Sequence, residues 1–137
     1  MIMGTPTQGA VKHSTSQTIL IIEDEEALSS LLKTELTSLG YRVAVARDGN
    51  DGLRQIQNVE PDLIICDRAM PHMTGSQLLE RLRGAYPQYS SVPFIFLTAM
   101  TDQRDKTAVQ NLQPYAYLEK PLDFNLLKKT IEKALTP

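Results

Sequence analysis

Four short apolar runs punctuate the chain: ILII at 19–22, DLIIC at 62–66, VPFIFL at 92–97 and YAYL at 115–118. Each is bounded by polar or turn residues, as strands buried on both faces are. A further segment, YRVAVA at 41–46, alternates and is expected at a sheet edge. The predicted strands are 18–23, 41–46, 62–66, 92–97 and 115–118. Between them, apolar residues recur at helical spacing. The predicted helices are 25–39, 49–58, 75–84, 102–111 and 123–135. The first has a stripe of Ala27, Leu28, Leu31, Leu32, Leu36 and Leu39, and Gly40 stops it, where a left-handed cap suits glycine. Leu53 and Ile56 should face inward from the second helix, and Leu78, Leu79 and Leu82 from the third. The fourth is weak, with Val109 and Leu112 its only large apolar residues; the fifth offers Phe124, Leu126, Leu127, Ile131 and Leu135. Strands and helices alternate, and right-handed crossovers then give an α/β fold: a three-layer, doubly wound, parallel five-stranded sheet.

That topology makes the strand ends informative. In an open parallel sheet the C-terminal ends of the strands converge on one crevice, where ligands bind. Just past the apolar runs stand Glu23 and Asp24, Asp67, Thr98 and Lys120. One pocket should therefore hold three carboxylates, a hydroxyl and an ammonium. Each residue has a plainer reading by itself. Acids at 24–26 suit the positive end of a helix, Asp67 suits a turn, Thr98 a strand end, and Lys120-Pro121 a loop leading into a helix. Complementary chemistry at four strand ends of one sheet edge is what lifts the set above four separate accidents. Carboxylates about 4 Å apart repel by several kcal/mol at an effective dielectric near 20. A hard divalent cation relieves that repulsion, and a carboxylate is a competent nucleophile for phosphoryl transfer.

Composition narrows the partners. The 137 residues suit one domain, with 42% hydrophobic content to build its core. A net charge of −2 gives no basic bias toward nucleic acid. Cys66 is the single cysteine, so no internal disulfide forms, and its apolar strand suits a buried thiol. His13 and His72 lack partners at metal-ligand spacing. No run is long enough to span a membrane and residues 1–17 lack a signal core, so a soluble, cytoplasmic chain is expected. Residues 1–17, rich in Thr, Ser, Gln and Gly, read as a flexible leader before a domain at 18–137.

The stretches IIED (21–24), PDLIICDRAMPHMTG (61–75), FIFLTA (94–99) and YLEKP (117–121), in this order and spacing, resemble the receiver domain of two-component response regulators over about 18–136. The resemblance implies a flavodoxin-like (βα)5 fold with strand order 2-1-3-4-5. It implies that Asp67 is the phosphoacceptor, and that Glu23, Asp24, Asp67 and the backbone carbonyl of Ala69 hold Mg²⁺, or Mn²⁺ in its place. It further implies that Thr98 and Lys120 are the catalytic pair that binds the phosphoryl oxygens, that Thr98 and Tyr117 form the switch, and that the Lys120-Pro121 bond is cis. The implied function is a signalling switch that catalyses only its own phosphorylation and dephosphorylation. The donor is a histidine kinase or phosphotransfer protein. The implied output partner or effector domain uses the face of the fourth helix, fifth strand and fifth helix, where a homodimer is also possible. Direct nucleic-acid and membrane contacts are not expected.

The chain departs from the family pattern on that face. Gln113-Pro114 stands where Gly-Ala is frequent, Ala116 where an acid is common, and Pro121-Leu122 where Pro-Phe is frequent. These changes weaken the expectation of the charged dimer interface found in one large family of DNA-binding regulators. Two readings from other classes compete with this one. A small aspartyl-phosphate phosphotransferase or phosphatase on a similar fold would carry a second acid two residues after the nucleophile, where Ala69 stands. A nucleotide- or flavin-binding module would carry a glycine-rich loop after the first strand, where IIEDEE stands. In receivers, the side chains two after the phosphoacceptor and two after the threonine border the path of the hydrolytic water. Here these are Ala69 and Met100, neither able to orient a water, so slow self-dephosphorylation is expected.

Overall fold

The computed structural model describes residues 17–99 and 111–136. Five parallel strands form one sheet: β1 (Thr18–Ile22), β2 (Arg42–Ala46), β3 (Leu63–Asp67), β4 (Phe94–Thr98) and β5 (Ala116–Glu119). Their order is β2-β1-β3-β4-β5, the flavodoxin-like arrangement, with β2 at an edge as its alternation suggested. The described helices are α1 (Glu26–Ser38), α2 (Gly49–Val59), α3 (Gly75–Ala85) and α4 (Phe124–Leu135), with one 3₁₀ turn at Pro87–Tyr89. Residues 102–110 of the predicted fourth helix and 1–16 of the predicted leader, and with them His13, Met100 and Val109, lie outside the described residues, and Asn111 is in a turn.

The period-2 geometry of the strands sorts the core into two layers. Ile19, Ile21, Leu63, Ile65, Ile95, Leu97 and Leu118 pack against Leu32 and Leu36 of α1 and Leu127 and Ile131 of α4. Leu20, Ile22, Ile64, Cys66, Phe94 and Phe96 pack against Leu53 and Ile56 of α2 and Leu78, Leu79 and Leu82 of α3. Both faces are covered, which is why these strands read as unbroken apolar runs.

Several predicted boundaries shift by a residue or two. Asp67 and Thr98 are the last residues of their strands rather than the first beyond them. Val92 and Pro93 precede β4, and Tyr115, exposed, precedes β5. Leu31, Leu39 and Leu126 are exposed rather than inward. Leu31 lies well around the helix from Leu32 and Leu36, and Leu39 is the C-cap residue. The predicted cap is present: Gly40 has φ 101°, its N–H donates to the Thr37 carbonyl, and the Tyr41 N–H donates to that of Leu36. Among the described residues no helix is long and apolar enough to cross a membrane.

Candidate functional site

The strand ends do converge. Glu23 directly follows β1, where its backbone N–H donates to the Ala46 carbonyl at 3.0 Å. Its Oε2 accepts from the Glu25 N–H at 3.0 Å, so the side chain also satisfies an amide at the start of α1. Capping and site chemistry thus share one carboxylate. Glu23 is buried, Asp24 exposed and Asp67 buried, and each presents an oxygen within 4.8 Å of the other two. At the far side, the Lys120 N–H donates to the Thr98 carbonyl at 2.8 Å and locks the ends of β4 and β5 together. The Lys120-Pro121 bond is cis. Lys120 Nζ lies 3.4 Å from both Glu23 Oε1 and Asp67 Oδ2, one ammonium shared by two carboxylates. The Ala69 N–H donates to Asp67 Oδ1 at 3.3 Å.

Two hollows meet at this cluster. One, about 490 Å³, is lined by Asp67, Arg68, Ala69, Thr74, Ser76, Thr98, Ala99 and Lys120. The other, about 400 Å³, runs along α1 and β2 past Glu23, Asp24, Ser29, Lys33 and Arg47. Both are open to solvent, and the first places the Thr98 hydroxyl residue, itself buried, beside Asp67 and Lys120.

The electrostatics follow from burial. Loss of solvent pushes the Glu23 carboxyl up to about 7, with the Asp67 charge adding to the rise and the Glu25 amide and Lys120 opposing it. Burial alone would lower the Lys120 ammonium, but Asp67 and Glu23 outweigh it and the net shift is upward. Lys120 reaches two of the three clustered acids, Glu23 and Asp67, and the donors of all three are oxygens, a set that fits a hard divalent ion. Burial, with Asp67 and Glu23 beside it, holds the Cys66 thiol well above its ordinary range, which makes it an inert core residue.

Three features around the site come from packing. A Cβ on Gly75 would stand 2.6 Å from the Asp67 carbonyl and 2.9 Å from the Phe96 ring, so only glycine lets α3 start against the end of β3. Thr74 and Gln77 form a reciprocal capping box there, a pattern that T-x-x-Q before an apolar run could have signalled. Arg68 Nε donates to Ser76 Oγ at 2.8 Å, with its guanidinium 6.0 Å over the Phe96 ring. Tyr117 stacks on the same ring, centroids 5.3 Å apart, which places the switch candidate inward.

The response regulator receiver domain family model matches residues 19–132. The chain belongs to that receiver family. Among curated relatives, the transcriptional regulatory protein ZraR of Salmonella typhimurium is 37% identical over 119 residues, 85% of this chain and 26% of the relative. The regulator of RpoS of Escherichia coli K12 is 38% identical over 120 residues, 87% of this chain and 35% of the relative. The receiver chain thus spans about a quarter to a third of these relatives. Among solved structures, a response regulator of Chloroflexus aurantiacus matches with TM-score 0.80 and 32% identity, covering 87% of this chain and 97% of that one. The chemotaxis response regulator CheY4 of Vibrio cholerae matches with TM-score 0.80 and 29% identity, covering 87% and 98%.

Proposed function

We propose that this receiver is a phosphorylation-dependent switch that accepts a phosphoryl group on Asp67 from a histidine kinase or phosphotransfer protein. The observation that carries the reading is the position of Asp67. It is buried at the end of the central strand, in a hollow shared with Thr98 and Lys120, and 3.4 Å from the Lys120 ammonium. An Asp67 carboxylate oxygen attacks phosphorus, the bond from phosphorus to the donor nitrogen breaks, and an acyl phosphate forms while the donor imidazole leaves. Lys120, already against Asp67, pairs with the phosphoryl oxygens as charge moves onto them. Thr98 donates to an oxygen present only in the modified state, which supplies the differential binding a switch needs. The Ala69 amide, on Asp67 Oδ1, steadies the carboxylate.

Glu23, Asp24, Asp67 and the Ala69 carbonyl would hold Mg²⁺. When bound, the ion neutralises charge on the carboxylates and on the incoming phosphoryl group. Asp24, exposed, is the direct ligand in this reading, and the longer Glu23 acts through a water. The rival phosphatase reading needs a general acid, and the methyl group of Ala69 provides none. The receiver therefore turns over only its own acyl phosphate. Its output partner would bind the face that includes β5 and α4, and the same reading puts the chain in the cytoplasm.

The test is chemical trapping. Protein treated with a small-molecule phosphodonor and Mg²⁺ is reduced with borohydride, which converts an aspartyl phosphate to homoserine, and peptides are mapped by mass. Homoserine at position 67 alone is the expected result. Homoserine elsewhere, or none, would reject Asp67 as the acceptor.

A further inference from the structure

Phe96 stands at the middle of an aromatic cluster that the phosphoryl chemistry does not use. The parallel register of β4 and β5 sets Phe96 directly beside Tyr117. Their rings stack at an interplanar angle of 22°, and the Tyr117 hydroxyl oxygen is shut off from solvent. Phe96 itself has little room to move. It is fully buried, its ring centroid lies 5.0 Å from that of Phe94, the Arg68 guanidinium lies over it, and α3 closes on it at Gly75. None of these contacts to Phe96 involves a carboxylate oxygen, a metal ligand or a phosphoryl oxygen. The seat they form is built from rings, a guanidinium and the start of α3, without the Asp67 carboxylate.

We propose that Phe96 is a positioning residue that holds Tyr117 inward by cross-strand stacking, so that the aromatic of the output face is preset by the core rather than by the phosphoryl group alone. The proposal rests on the phosphoacceptor reading above and adds to it how the switch is biased. Stacked aromatic pairs gain free energy beyond their buried area, enough to weight the inward over the outward position of Tyr117 by about two- to tenfold. Phosphorylation then has less of the Tyr117 equilibrium left to move. A small aliphatic residue at 96 would leave the inward position without a ring to rest on, and the phosphoryl group would control it more fully.

The test uses the whole chain with 3-fluorotyrosine in place of its five tyrosines. The Tyr117 signal is assigned by its loss in Tyr117→Phe. Broadening by a soluble gadolinium chelate reports exposure, before and after Mg²⁺ and beryllofluoride. In the wild type, Tyr117 should be protected before addition and shift little afterwards. In Phe96→Leu, protection should fall two- to tenfold and be restored by beryllofluoride. A wild-type Tyr117 as exposed as Tyr115 before addition overturns the proposal, and so does unchanged protection in Phe96→Leu. Should that variant not fold, Phe96→Met makes the same comparison, and an exposed wild-type Tyr117 overturns the proposal without any variant. The amides of Asp67 and Thr98 separate the two claims. If they do not respond to beryllofluoride while Tyr117 is protected, the phosphoacceptor reading fails and the Phe96 contact stands.

Discussion

Glu23 has two roles, as a cap at the start of α1 and as one wall of the acidic cluster, and its protonation should be visible in stability. Its folded-state value of about 7 lies above its ordinary 4.5. The folded protein therefore holds this proton more tightly than the unfolded chain, and stability declines as pH rises between those values. The contribution is on the order of 2–3 kcal/mol. Urea unfolding in EDTA at pH 5 and pH 8 should show that loss in the wild type and not in Glu23→Gln; the same loss in both would contradict it. Gly75 gives a second prediction. With 2.6 Å to the Asp67 carbonyl, Gly75→Ala forces α3 away from β3 and should cost about 1–3 kcal/mol. A loss too small to resolve in urea unfolding would show that the junction yields. The charged site residues were legible because a parallel sheet converts strand ends into neighbours. Gly75, Phe96 and Arg68 were not, since their roles depend on a close approach of α3 and on cross-strand register, which periodicity does not encode.

Arg83, near the end of α3, ties that helix to the connection leading into β5. Its guanidinium donates to the carbonyls of Ser90 at 2.5 Å, Leu112 at 3.1 Å and Gln113 at 3.3 Å. Gln113 has φ 55°, the left-handed backbone that glycine adopts at no steric cost. This accounts for one departure from the family pattern: the chain keeps a backbone shape suited to glycine and anchors it with an arginine fork. Arg83→Ala should cost about 1–2 kcal/mol in chemical denaturation, since three carbonyls, two of them in partly buried bonds, lose a charged donor. Arg83→Lys should recover little, because an ammonium does not reproduce the fork. Full recovery by lysine would show that charge alone matters. Helix and strand identities were readable from sequence because the apolar runs are short and the stripes regular. The ends were harder to place, since the sheet-facing arc of α1 is set by Leu32 and Leu36 and leaves Leu31 to solvent.

At the scale of the molecule, two apolar layers grip one sheet and leave its C-terminal edge to chemistry, so the core and the site make separate demands on the sequence. On the proposed reading, the lifetime of the acyl phosphate belongs to this scale, because Ala69 lines the open hollow through which water would reach it. Ala69→Asn together with Met100→Glu should speed decay of the phosphorylated protein. Equal decay in wild type and double variant, followed by intact mass, would show that other groups place the water. The division of labour also explains why the fold and the acidic site could be read together from one chain, whereas the bias on Tyr117 needed the packed core. The most direct measurement of the central claim is intact mass after acetyl phosphate treatment, with and without Mg²⁺, for the wild type and Asp67→Asn. A gain of one phosphoryl group only in the wild type, and only with Mg²⁺, is the predicted result. The same gain in Asp67→Asn, or in the wild type with EDTA present, would contradict it.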